Sequence, residues 1–341
     1  MRVTAQERTA DLLESYAALT RAAMTEALAG GTPADYLYDL VRDYADRRGK
    51  GLRPGLLLAA VDACGGSLRT ALPAAASLEL LHTAFLIHDD VEDHSRLRRG
   101  RPTLHELHGV PLAINAGDAL ANLATQPLMS AAFPRHRSRE VLAELWMTIR
   151  QTTEGQALEL GWRRHTVVDL TVADYLELVG RKTCWYTTMA PLRIGALLGR
   201  WRPDPPALDR LGFLAGCAFQ IRDDLLDLAP GGQAGKEPRS DIVEGKRTLM
   251  LIHLLGAAAP DVRQWVVDYL GRSEDERPPA DRDRLLTLMI EAGSLAYAER
   301  AAAVLAAAAH RSLEQAFADV PPSPAQDSLR ELVDYLVERT D

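Results

Sequence analysis

Apolar residues recur at three- and four-residue spacing along almost the whole chain, as at Leu12, Leu13, Tyr16 and Leu19 and again at Leu176 and Val179. That period marks one face of an α-helix, whereas the period-two alternation of a half-buried strand is hard to find. The expected fold class is all-α. Local punctuation agrees: Pro54 suits a first helical turn, Gly65-Gly66 a C-terminal stop, and Thr171 with Asp174 a reciprocal cap before "YLELVGRKT". Turns are expected near Gly30-Gly31-Thr32-Pro33, from Arg99 to Pro102, from Pro203 to Pro206 and at Pro230-Gly231-Gly232.

One segment stands apart. From Ala71 to His88 the chain is apolar almost all round, which predicts a central helix buried on every side. No repeat of 20 to 50 residues and no low-complexity linker divides the sequence, so a single domain over residues 1–341 is expected. With 341 residues, 47% of them hydrophobic, the chain can bury a large core. A net charge of -8 argues against sequence-independent nucleic-acid binding, which needs an extended basic face. Cys64, Cys184 and Cys217 are odd in number and form no CxxC, so neither a disulfide framework nor a zinc site is indicated, and a reducing cytoplasm fits. The N-terminal stretch carries charges throughout, unlike a signal peptide, and no uncharged apolar run reaches membrane-spanning length, so no membrane anchor is expected.

The chemistry concentrates in "HDDVEDHSRLRRGRP", residues 88–102, where acids and arginines crowd together. On a helix Asp89 and Asp93 lie four apart on one face. The Asp-Asp-x-x-Asp spacing returns in "QIRDDLLD" as Asp223, Asp224 and Asp227, again after an apolar helical run. Either cluster alone reads as a solvated acidic helix end; two at the ends of apolar helices repel within themselves, and a cation relieves that strain. A hard ion such as Mg²⁺ takes carboxylate oxygens and completes its shell with water and substrate phosphate. An EF-hand loop is absent, and His88 and His94 lack the one-face spacing of HExxH. Arg96, Arg98, Arg99 and Arg101 follow in a turn opened by Gly100 and Pro102, and arginine forks bind phosphate. "GKGLRP" adds Lys50 and Arg53 at a helix start, a favourable place for anions.

Taken in order, "GKGLRP", "LLHTAFLIHDDVEDHSRLRRG", "GRKT", "FQIRDDLLD" and "SDIVEGKRT" resemble the motif set of the trans-type isoprenyl diphosphate synthases, the polyprenyl synthetase family. The resemblance runs from about Lys50 to Thr248. It implies an all-α barrel around a central apolar cavity, with the two aspartate motifs facing each other across its mouth. Asp89, Asp93 and Asp223 are implied ligands of three Mg²⁺ ions shared with an allylic diphosphate; Asp227 is a further candidate ligand or, with Asp90, a supporting acid. Arg98 is implied for the allylic diphosphate, and Arg99, Lys50, Arg53 and His82 for isopentenyl diphosphate; without the resemblance, His82 reads as a core histidine. Lys182, Thr183, Gln220, Lys236 and Lys246 match positions that contact the allylic substrate or line the ionising carbon. The implied reaction is ionisation of the allylic diphosphate followed by head-to-tail attack of the isopentenyl double bond, catalysed by a homodimer.

Around Lys236, "APGGQAGKEPRSD" reads equally as a lid or as a plain surface loop. Two positions depart from the family pattern: Gly51 stands where a second basic residue is frequent, and Glu159 where Asp is common. Chain length should be set beneath the first motif, where Phe85 lies one turn below Asp89 and Leu81 and Leu78 follow; Ala84 beside it is small. These residues favour a C20 product, geranylgeranyl diphosphate, with C15 next. A class I terpene cyclase shares the helices and one aspartate motif but has no need of Lys50, Arg53, His82 and Arg99. A non-catalytic partner subunit typically lacks the aspartates present here, and a phosphohydrolase reading of His88-Asp89 explains neither the second cluster nor the arginines.

Overall fold

The computed structural model describes residues 5–47, 49–131, 133–229 and 239–337. Helices carry the chain almost from end to end, in the order α1 (Ala5–Ala27), α2 (Asp39–Ala45), α3 (Leu52–Ala63), α4 (Leu68–Glu92), α5 (Leu104–His108), α6 (Val110–Leu123), α7 (Gln126–Met129), α8 (Arg135–Arg164) and α9 (Val172–Val179). Then follow α10 (Ala190–Leu198), α11 (Pro205–Leu228), α12 (Ser240–Glu244), α13 (Leu249–Ala257), α14 (Pro260–Leu270), α15 (Pro279–Glu291), α16 (Ser294–Ala316) and α17 (Pro324–Val337). Extended structure is confined, among the described residues, to a two-residue pair, β1 (Leu97–Arg98) and β2 (Arg101–Pro102), in antiparallel register Leu97↔Pro102. The two residues between them, Arg99 and Gly100, both have positive φ, 56° and 73°, as a tight hairpin turn requires. The all-α expectation holds.

α4 is the central helix that the apolar run predicts. Ser67 caps it, accepting from the Thr70 amide, and most of its side chains are buried. By length and composition it could cross a membrane, an outcome the uncharged-run reading missed because Glu79 interrupts the stretch; 67% of its apolar window is buried inside the fold. Around it α1, α3, α6, α10 and α17 close one apolar core. A second core joins α9 to α13–α16. α11 serves both, with Leu211 and Ala215 in the first and Cys217 and Ile221 in the second.

Between α9 and α10 the helix widens: Gly180–Met189 is π-helical, so its backbone bonds reach five residues back instead of four. Small residues let its neighbours come close. A methyl group on Gly155 of α8 would lie 2.4 Å from the Lys182 amide nitrogen, and one on Gly216 of α11 would lie 2.6 Å from Cys184 Sγ. The Thr171–Asp174 capping box read from sequence is present, and at the Pro203–Pro206 turn the structure adds an Asp204 cap that accepts from the Ala207 amide. The Pro230-Gly231-Gly232 turn lies outside the described residues.

Candidate active site

The helix ends meet around a cavity of about 1070 Å³. α4 presents His82, Phe85, Leu86, Asp89 and Glu92 to it, the three-and-four stripe of one helix face. From the other side α11 presents Phe219, Gln220, Asp223, Asp224 and Asp227. The stripe of α11 next to these, Gly212, Gly216 and Gln220, lies against the π-helical segment: Thr183 Oγ1 donates to Gln220 Oε1 at 2.9 Å, and Gln220 Nε2 to Asp224 at 2.7 Å. The widened turn thus brings Lys182 and Thr183 into the wall between the two acid clusters.

The first cluster is neutralised by the chain's own cations. Asp89, facing the cavity, has Lys182 Nζ and an Arg98 nitrogen each at 3.5 Å. Asp90 is buried, accepts from Tyr44 and takes Arg98 Nε at 2.7 Å. Asp93 corrects the one-face reading. It is the C-cap of α4, beyond the last helical turn, and its carboxylate meets Arg163 and, at 3.2 Å, Lys246 instead of turning to the cavity beside Asp89. Burial alone would raise the Asp93 carboxyl; Lys246, Lys182 and Arg163 outweigh it and hold the group well below the usual carboxylate range.

In the second cluster Asp223 lines the cavity, whereas Asp224 accepts from Tyr175 at 3.0 Å. Burial, with the charges of Asp241 and Asp223, pushes the Asp224 carboxyl far above its ordinary range. Asp227 also lines the cavity, and both its oxygens receive amide hydrogens at 3.1 Å, from Ser240 and Asp241, so it anchors the start of α12. Among the described residues no three acids, histidines or cysteines close into a metal cage. Crowded oxygen donors without a cage fit a hard cation that completes its shell from a second ligand.

Cations surround the acids. Lys182 contacts Glu159, the position where Asp is common in the resembling family, so the longer acid still reaches its lysine. Lys246 lies 2.6 Å from Glu244, whose carboxyl burial pushes up to about 8 against the pull of Lys246. Arg247 donates to the carbonyls of Val167 and Trp162 at 3.0 and 3.2 Å, fixing the Lys246 loop to the end of α8. Lys236 lies outside the described residues.

At the far end of the cavity, Lys50, Arg53, His82 and Arg99 come together. The Tyr186 ring organises them, with the Arg53 guanidinium 4.5 Å above it, His82 stacked at 5.6 Å and Phe85 edge-on at 5.8 Å. Burial and then the charges of Arg53, Arg99 and Arg98 drive the His82 pKa down, so the imidazole is neutral. Among the described residues, His82 Nδ1 and Arg53 Nε are buried and have no hydrogen-bond partner. Gly51 is there for a backbone reason: its φ is 63°, and a methyl group would stand 2.7 Å from Ala17 Cβ.

Phe85 lines the cavity, but Leu81 and Ala84 are not among its lining residues; both are buried in the core. Tyr186, Arg163, Arg247, Tyr175 and Tyr44 escaped the sequence reading. Tyr186 follows Lys182 by one turn and was the most accessible of them; the rest act across elements.

The chain matches the family model described as polyprenyl synthetase over residues 34–286. It is 33% identical to the geranylfarnesyl diphosphate synthase of Natronomonas pharaonis, over 97% of this chain and 99% of that one. Its fold is similar to the geranylgeranyl pyrophosphate synthetase of Pyrococcus horikoshii, with a TM-score of 0.84 and 30% identity over 98% of this chain and 99% of that one. It is similar, too, to the geranylgeranyl pyrophosphate synthase of Corynebacterium glutamicum complexed with isoprenyl diphosphate and magnesium, with a TM-score of 0.85 and 26% identity over 96% and 99% of the two chains.

Proposed function

Because the chain belongs to the polyprenyl synthetase family, we propose that its cavity joins an allylic diphosphate to isopentenyl diphosphate, head to tail. It is a prenyltransferase of the prenyl diphosphate synthase type. The observation that carries the reading is the shared cavity: two acid-bearing helix ends face each other over it, its far end is cationic, and apolar side chains wall the space between.

Asp89, Asp93 and Asp223 are the proposed ligands for Mg²⁺, three ions shared with the allylic diphosphate, and Asp227 braces α12 beside them. Magnesium bound there supplies Lewis-acid stabilisation of the leaving diphosphate. Arg98, Lys182 and Lys246 add positive charge on the same side, so the allylic C–O bond breaks where negative charge is best received. Lys50, Arg53, Arg99 and neutral His82 hold isopentenyl diphosphate. Thr183 and Gln220 offer dipoles to the allylic cation; Phe85, Leu86 and Phe219 keep water away from it. The isopentenyl double bond forms the new C–C bond, and the proton then lost passes to the released diphosphate. We assign geranylgeranyl diphosphate (C20) as main product, with Phe85 as the floor.

The test is incubation of the purified protein with Mg²⁺, isopentenyl diphosphate and dimethylallyl, geranyl or farnesyl diphosphate, with products identified by mass spectrometry. Linear prenyl diphosphates are expected from the wild type. Asp89→Ala and Asp223→Ala should fall by roughly a thousandfold, the rate equivalent of several kcal/mol of charge stabilisation. Activity retained in both variants would refute the assignment of the acids.

A further inference from the structure

Arg163 ends α8 and spans two acids: one guanidinium nitrogen donates to Asp93, the other to Glu274 Oε1 at 3.2 Å. Basic residues in a last helical turn are ordinarily solvated partners of the helix dipole. Arg163 is different, because its side chain is only 15% exposed and it closes over an acid from another helix. With Lys246 on the other oxygen, the Asp93 side chain is 1% exposed, against 23% for Asp89. The acid cluster is thus split, one carboxylate at the cavity and one shut away beneath two cations.

We propose that Arg163 is a positioning residue that withholds Asp93 from the divalent cation in the free enzyme and releases it when a diphosphate arrives. This rests on the reading of Asp93 as a ligand. An oxygen already engaged by a guanidinium is a poor donor to a metal, and a buried pair is broken easily only if both freed charges find new partners. A diphosphate and its metal supply them together, the anion taking Arg163 and Lys246 and the cation taking Asp93. Glu274 tethers Arg163 nearby meanwhile. Metal and diphosphate then bind cooperatively, each raising the affinity of the other by the same factor.

The experiment titrates Mn²⁺ into the full chain, following free Mn²⁺ by electron paramagnetic resonance, without and with inorganic diphosphate after correction for the complex formed in solution. Without diphosphate, Arg163→Gln should bind Mn²⁺ roughly tenfold more tightly than wild type, and the gain from adding diphosphate should shrink by the same factor. Arg163→Met serves as a second neutral variant that keeps the packing of the stem. Arg163→Lys should behave like wild type, and Asp93→Asn in the Arg163→Gln background should abolish the gain. Neutral variants that bind Mn²⁺ no better than wild type, or a gain that survives Asp93→Asn, would overturn the proposal. Prenyl transfer by the wild type is assayed on the same preparation: its absence would refute the functional reading, while the Mn²⁺ comparison would still decide the role of Arg163.

Discussion

Phe85 stands about 5.4 Å below Asp89, one helical turn, with its ring edge against Tyr186. A growing tail anchored at the aspartates meets that edge first. Phe85→Ala should therefore lengthen the main product by at least one isoprene unit with little change in overall fold, read by mass spectrometry of the reaction mixture. An unchanged product would move the floor to Tyr186. At this scale the sequence disclosed the groups that any diphosphate site needs, because acids and arginines are rare at the ends of apolar helices. It did not disclose their pairing. Asp93 and Asp227 share the spacing of Asp89 and Asp223, yet the end of α4 turns one toward Arg163, and the start of α12 claims the other. Arg163 lies 70 residues from Asp93, and Ser240 and Asp241 lie across the loop from Asp227, so neither pairing belongs to the helix that carries the acid. Ala84 sits about 100° round α4 from Phe85, and Leu81, a turn further down, is covered by the core before the cavity reaches it.

The elements themselves were largely legible, since the helical period, the caps and the fully apolar stretch each leave a local signature. The π-helical segment was not, because widening a turn changes which carbonyl each amide meets and leaves composition unaltered. Its effect on the site is large, for it carries Lys182, Thr183 and Tyr186. Gly155 is what lets α8 approach it. Gly155→Ala would set a methyl group 2.4 Å from the Lys182 amide nitrogen, and the segment must shift. Overpacking of this kind costs about 1–3 kcal/mol. If Lys182 holds substrate as proposed, displacing it by an ångström lowers turnover on the order of a hundredfold. Thermal melting and steady-state kinetics measure both, and wild-type turnover in a folded Gly155→Ala protein would contradict this account of the segment.

Across the whole molecule α4 and α11 supply both the acids and, through Phe85, Leu86 and Phe219, the apolar wall of the cavity, and the outer surface carries one further feature. Val110 and Ile114 on α6, Met129 on α7, and Trp146 and Met147 on α8 are exposed large apolar side chains. α7 packs against both α6 and α8. Exposed apolar area of this kind favours association, and we propose that the homodimer implied by the family resemblance uses it: light scattering should give twice the 37.3 kDa chain mass, falling to the chain mass in Trp146→Glu. A wild-type monomer at working concentration would rule that out. The central claim, however, is that the cavity holds two substrates. The measurement that tests it most directly is diphosphate release from an allylic diphosphate, with and without isopentenyl diphosphate. The account predicts release only when isopentenyl diphosphate is present, one diphosphate for each isopentenyl unit consumed. Release of diphosphate and hydrocarbon from the allylic substrate alone would contradict it and make the protein a cyclase.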